Sequence, residues 1–193
     1  DFIADGKLIK NSFTGHILSN DRNASFVLDG TINFDQKNPF FNFESDIKHL
    51  NLQSVGFARE NVTLQGKLSA NFSGLTLDKF LGAAKAKDFY IRRDEHAYYF
   101  DSVQLTSTIL GENKLLELQS RNIAAQVKGK FNISELSNDF QYLLHNYYPD
   151  YIPLPRTKPT NDHFSFELNT VNAEELVNII DPYMKGLSNT QLN

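Results

Sequence analysis

The sequence predicts a mainly β protein, an antiparallel or meandering sheet accompanied by two short amphipathic helices. Three observations predict it. Polar and apolar residues alternate with a period of two through the first two-thirds of the chain, Asn- and Asp-rich turn signals recur between the alternating runs, and a helical period sets in only after Ser134 and again from Asn172. Because successive strand side chains point to opposite faces, each alternating run makes one apolar and one wet face. That pattern belongs to antiparallel sheets; parallel strands are covered on both sides and read as continuous apolar runs.

The first recognisable unit is Ala4-Asp5-Gly6-Lys7-Leu8, reading small or apolar, polar, Gly, polar, apolar. The same form returns at Leu28-Asp29-Gly30-Thr31-Ile32, Leu64-Gln65-Gly66-Lys67-Leu68 and Val127-Lys128-Gly129-Lys130-Phe131. The intervals between the glycines, 24, 36 and 63 residues, are irregular, so one type of strand is reused without the fixed period of a solenoid. Glycine inside a strand marks a bulge, a bend or a close approach to the backbone. Alternation then runs from Phe26 to Phe34, through Phe41, Phe43 and Ile47, and through Val62, Leu64, Leu68, Ala70 and Phe72. It continues through Tyr99, Val103, Leu105 and Ile109, and through Ile123, Ala125, Val127, Phe131 and Ile133. Turns are expected at Asn20-Asp21-Arg22-Asn23, Asp35-Gln36-Lys37-Asn38 and Gly111-Glu112-Asn113.

Ser134 is placed to cap a helix reaching about Tyr148, with Leu136, Phe140, Leu143, Leu144 and Tyr147 on one face and Pro149 ending it. A second helix is expected from Asn172, with Glu175 at the capping-box position and Leu176, Ile179, Ile180 and Tyr183 on its apolar side. Neither has the basic polar face that anionic membranes favour, so both read as covers or plugs for the sheet. Phe164, Phe166 and Leu168 form a strand between them. The chain therefore divides into a β-rich section over 1–133, a helix with a proline-rich connector over 134–160, and a strand–helix unit over 161–193 leading into further repeats. The only Met is Met184, and the chain reads as an excerpt of a longer protein.

With 40% hydrophobic and 22% charged residues, the composition is that of a folded chain. A net charge of -4 without long basic runs gives no electrostatic reason to expect nucleic acid. The nearest thing to a basic patch, Lys85, Lys87, Arg92 and Arg93, is offset by Asp88, Asp94 and Glu95. There is no Cys, hence no disulfide framework, thiolate metal site or thiol nucleophile. The five histidines are scattered, and no nucleotide-loop, nucleophile-elbow, zinc-protease or calcium-loop motif occurs. The densest polar cluster, Asp94-Glu95-His96 with Asp101 nearby, reads as a solvated hairpin tip, since neighbouring strand side chains diverge. No catalytic constellation, metal site or cofactor is expected; the reading is of a protein that is not an enzyme.

The succession of elements resembles the TamB/AsmA family of envelope proteins, in particular the TamB-type translocation and assembly proteins of Bacteroidota. The likeness is carried by Phe41-Asn42-Phe43 leading into Ile47-Lys48-His49-Leu50-Asn51-Leu52, the Leu64 to Leu68 strand, Phe72-Ser73-Gly74-Leu75 and Phe80-Leu81-Gly82-Ala83-Ala84. Asp101 to Thr106, Leu116 to Ser120, Val127 to Phe131, the helix to Pro149 and the unit from Phe164 to Pro182 continue it. The resemblance implies a curled sheet, a β-taco, whose concave face is a hydrophobic groove. It implies a long protein anchored in the inner membrane, crossing the periplasm and associated with phospholipid movement to the outer membrane. An outer-membrane β-barrel partner of the TamA kind is implied alongside. Groove candidates are Phe26, Leu28, Ile32 and Phe34; Phe41 and Phe43; Val62, Leu64, Leu68 and Phe72; Val103 and Leu105; and Val127 and Phe131. The repeated glycines on that parity are expected to leave room for acyl chains.

Other readings of the same residues stand beside this one. A one-sided apolar sheet also serves as half of a sandwich or lies under covering helices. A strand edge assists barrel assembly by β-augmentation. A carbohydrate-binding surface would rest on Tyr98, Tyr99 or Asp101.

Overall fold

A computed structural model describes residues 1–37, 39–93, 96–155, 157, 163–171, 189 and 191–192. The helix expected from Asn172 and the tip at Asp94-Glu95 lie outside the described residues.

The alternating segments form strands β1 (Phe2–Ile9), β2 (Ser12–Asn20), β3 (Ala24–Asn33), β4 (Phe40–Asn51), β5 (Val62–Ser73) and β6 (Leu81–Arg93). They continue as β7 (His96–Leu110), β8 (Asn113–Ser120), β9 (Ile123–Lys130), β10 (His163–Thr170) and β11 (Gln191–Leu192). All eleven lie in one sheet in strict sequence order, each antiparallel to the next. The sheet is a curled, unclosed meander, and the expected fold class is the one observed. Among the described residues strands touch only their sequence neighbours to any extent, and no second sheet stacks on this one. The expected turns join them: Asp21 accepts the Asn23 amide at 2.8 Å, and Gly111 takes a left-handed φ of 65° between β7 and β8.

One helix, α1 (Leu136–Tyr147), stands between β9 and β10, which nevertheless pair directly. Its N-cap residue is Glu135, without a side-chain cap. Ser134, expected in that role, faces elsewhere: its hydroxyl and amide donate to the two carboxylate oxygens of Asp78, at 2.8 and 2.9 Å. A partner 56 residues away outcompetes the local cap.

Among the described residues only six apolar side chains are buried: Ile47, Ala70, Phe80, Phe89, Ile123 and Phe131. Twenty large ones are exposed. A closed sandwich would reverse that balance.

Two glycines of the repeated strand form, Gly30 and Gly129, share their environment with Gly82. Gly30 adopts φ 149°, and a Cβ there would lie 2.2 Å from the Asn42 carbonyl oxygen and 2.5 Å from the Cα of its register partner Phe43. Gly82 meets Phe72, and Gly129 meets Phe164, in the same way. What approaches these glycines is the backbone of the next strand, with a phenylalanine side chain rooted over the gap. The position a Cβ would take at these glycines is therefore occupied by the adjoining strand. The arrangement is that of an aromatic residue sheltering a cross-strand glycine, and the glycine conformation lets the strand bend where the sheet curls.

Candidate functional site

Directly paired residues in an antiparallel ladder share a face. One row across the sheet runs through Leu8, Phe13, Ile32, Phe41, Phe72, Gly82, Ser107, Leu116, Val127 and Phe166. The next runs through Gly6, Gly15, Gly30, Phe43, Ala70, Ala84, Leu105, Leu118, Ala125 and Leu168. A third holds Ala4, Ile17, Leu28, Ser45, Leu68, Ala86 and Val103. Phe26 faces Ile47 beyond them, and Leu64 sits between Leu50 and Ile91, with Val62 two residues along β5. Phe34 packs edge-on against Phe41 at 6.0 Å, and Phe131 against Phe164 at 6.1 Å. All fourteen residues singled out from the sequence thus lie on one apolar face. A row of ten strands spaced ~4.8 Å apart spans roughly 45 Å.

The other face is polar. Its central row reads Lys7, Thr14, Thr31, Asn42, Asn71, Ala83, Thr106, Glu117, Gln126 and Glu167. It carries cross-strand pairs such as His16 with Asp29 at 2.7 Å and Thr14 with Thr31 at 2.9 Å. Along β4 the apolar-face residues Phe41, Phe43, Ser45 and Ile47 are half-buried or buried, whereas Phe40, Asn42, Glu44 and Asp46 are exposed. Among the described residues no second layer covers β4, and side chains are shielded this way when they crowd on the inside of a curl, which puts the apolar face on the concave side.

Two bulges preserve this apolar continuity. The pairing of β4 slips at Lys48 against both neighbours, which returns Leu50 to the face of Ile47 although the parity has changed. A second slip lies between Gln65 and Lys67, opposite Asp88, which has a positive φ of 48°. Gly66 marks the second position in the sequence, whereas no glycine or proline marks the first.

One rim of the face is partly closed. Phe41, Phe72 and Phe80 form an aromatic run with centroids 4.8 and 5.1 Å apart. Phe140 of α1 packs edge-on against Phe166 at 4.5 Å, leaving a cavity of about 780 Å³ between the helix and β9–β10. Asp78, in the β5–β6 connection, links this rim together. Its carboxylate takes both Ser134 donors, which hold its pKa below the ordinary value, and its carbonyl accepts the Lys114 ammonium at 2.9 Å.

The residues of the carbohydrate reading separate. Tyr98 pairs with Ile91 and shares its face, whereas Tyr99 pairs with Tyr90 on the polar face, their rings 4.6 Å apart. Hydrogen bonds to Asp101 and Asp88 push the Tyr99 pKa up to about 12, and Asp101 also pairs with Arg121 at 3.1 Å. Among the described residues no three His, Asp or Glu side chains gather to hold a metal ion, and no helix is long and apolar enough to cross a membrane.

Comparison with protein-family models, curated proteins and solved structures finds no match.

Proposed function

We propose that this chain is a section of a periplasmic lipid conduit of the TamB/AsmA kind, in which acyl chains travel along the apolar concave face. The observation that carries the reading is the continuity of that face: apolar or small residues follow one another across ten strands, and among the described residues no second sheet is laid over them. Continuity matters because a two-chain lipid with about 30 methylenes loses on the order of 20 kcal/mol if it crosses water unprotected, at ~0.8 kcal/mol each. Any gap in the track restores part of that barrier. On this reading the chain performs no catalysis and needs no cofactor. Its polar convex face meets the periplasm, and its anchor and its outer-membrane barrel partner belong to the longer protein.

The test is native mass spectrometry of the protein purified from bacterial membranes, beside the Leu64→Asp and Val127→Asp variants. Both positions are only half-buried, and circular dichroism of each variant checks that it folds. Phospholipid is expected to co-purify with the parent and to be lost from the variants. A lipid-free parent, or unchanged lipid on folded variants, overturns the conduit.

A second reading has its own observation. All eight residues of β1 are exposed and pair on one side only among the described residues, leaving an edge ready for β-augmentation by an unfolded barrel strand.

A further inference from the structure

The apolar face carries a cation at its rim. Lys114 stands in the register row Ile109, Lys114, Gly129 and Phe164, so its side chain leaves β8 on the same face as Leu116 and Leu118. It is 8% exposed. Its bond to the Asp78 carbonyl is the one hydrogen bond it makes among the described residues, although an ammonium has three donors. The Asp78 carboxylate, whose charge acts on Lys114, has both oxygens engaged by Ser134. Diagonal to Lys114 on the same face, Ser107 is 1% exposed, and its hydroxyl has no partner among the described residues. Asn113 and Gly129, the chain and register neighbours of Lys114, line the cavity beneath α1 together with Phe140, Phe164 and Phe166.

A charge withdrawn from water is costly unless it is paired and its donors are used. Burial pushes the Lys114 pKa down, and the negative charge of Asp78 offsets this only in part. A Leu or Met here would continue the apolar face at no such cost. A cation and an idle hydroxyl beside a cavity walled largely by aromatic side chains, with Lys128 and Asp139 also on its wall, instead match a ligand with an anionic head and an apolar tail. We propose that Lys114, with Ser107 beside it, holds the anionic headgroup of a lipid whose acyl chains lie on the apolar face. The surface then selects anionic amphiphiles over uncharged ones. This rests on the conduit reading of the same face.

The experiment exposes the protein to vesicles containing equal amounts of phosphatidylglycerol and diacylglycerol, re-isolates it and quantifies bound lipid. Phosphatidylglycerol is expected to be retained over diacylglycerol by about tenfold or more, the scale of one charge-assisted hydrogen bond. Lys114→Met is expected to level the two, and Lys114→Arg to keep the preference. Equal retention of both lipids by the parent overturns the role of Lys114 and leaves the conduit standing. Retention of neither overturns the conduit, and the headgroup site with it. Should Lys114→Met not fold, the lipid pair on the parent and Lys114→Arg still decide. Abolition of the preference by free inorganic phosphate would make the site one for a small anion and overturn the lipid assignment.

Discussion

Replacing Gly30 by Ala tests the way the sheet is built more directly than any core truncation. The added methyl would sit 2.2 Å from the Asn42 carbonyl oxygen and 2.5 Å from the Phe43 Cα, where ordinary contact begins at 3.4 Å. Strands β3 and β4 must therefore part locally by about 1 Å, which weakens the flanking ladder bonds, worth ~1 kcal/mol each. The backbone is also at φ 149°, a region that costs an L-residue about 1–3 kcal/mol. Together these give a loss of about 3–4 kcal/mol, a large share of the stability of an ordinary domain. Gly111→Ala is the matched control. Its φ is also positive, at 65°, but nothing lies within 4 Å of the new methyl, so only about 1 kcal/mol of left-handed strain is incurred. With a urea m-value of ~2 kcal/mol/M, the midpoint should fall by about 1.5–2 M for Gly30→Ala and about 0.5 M for the control. Circular dichroism and tyrosine fluorescence both read the transition. Equal shifts for the two variants would refute the close strand approach at Gly30, and with it the pairing of Gly30 with Phe43.

Two further outcomes follow from the titrating groups. Asp78 has a folded pKa below its ordinary 3.8, set chiefly by the Ser134 amide and then its hydroxyl, so the clasp is complete above that value and is lost as the pH falls through the depressed one. Hydrogen exchange at the Ser134 amide should be slow at neutral pH, faster in Asp78→Asn, and indistinguishable between the two well below pH 3.8. Tyr99 is shifted the other way, from 10.0 to about 12, so its contribution is present below pH 10.0 and disappears as the pH rises through about 12. Ultraviolet titration should show one of the eight tyrosines ionising late, returning toward 10.0 when Asp101 and Asp88 are both changed to Asn.

The apolar face was legible in the sequence because strand parity is a local property. Phe26, Leu28 and Ile32 share a face by spacing alone, and antiparallel pairing then aligns them with Phe41, Leu68 and Val103. What escaped is what depends on distant partners. Ser134 looks like a helix cap until Asp78 is brought beside it. Lys114 looks like a solvated strand residue until register sets it among Ile109, Gly129 and Phe164. The slip at Lys48 changes parity without any glycine or proline to announce it. The glycines were half legible: a close approach to their backbone was foreseeable, but whether a ligand or the adjoining strand makes it is decided only by pairing.

The uninterrupted strand order has a consequence for how such a protein is lengthened and how it folds. Among the described residues each strand leans mainly on the one before and the one after, the Asp78 contacts to Lys114 and Ser134 apart, so its free energy is nearly a sum of nearest-neighbour contributions, as in repeat proteins. Such a chain behaves as a one-dimensional lattice: it can grow from whichever end emerges first, and from β1 to β9 every loop closure is short. Inserting or deleting one hairpin would change the span by about 10 Å, twice the strand spacing, and leave the rest of the sheet in register. Duplication of single hairpins is then enough to tune the length of such a sheet in steps far finer than a domain.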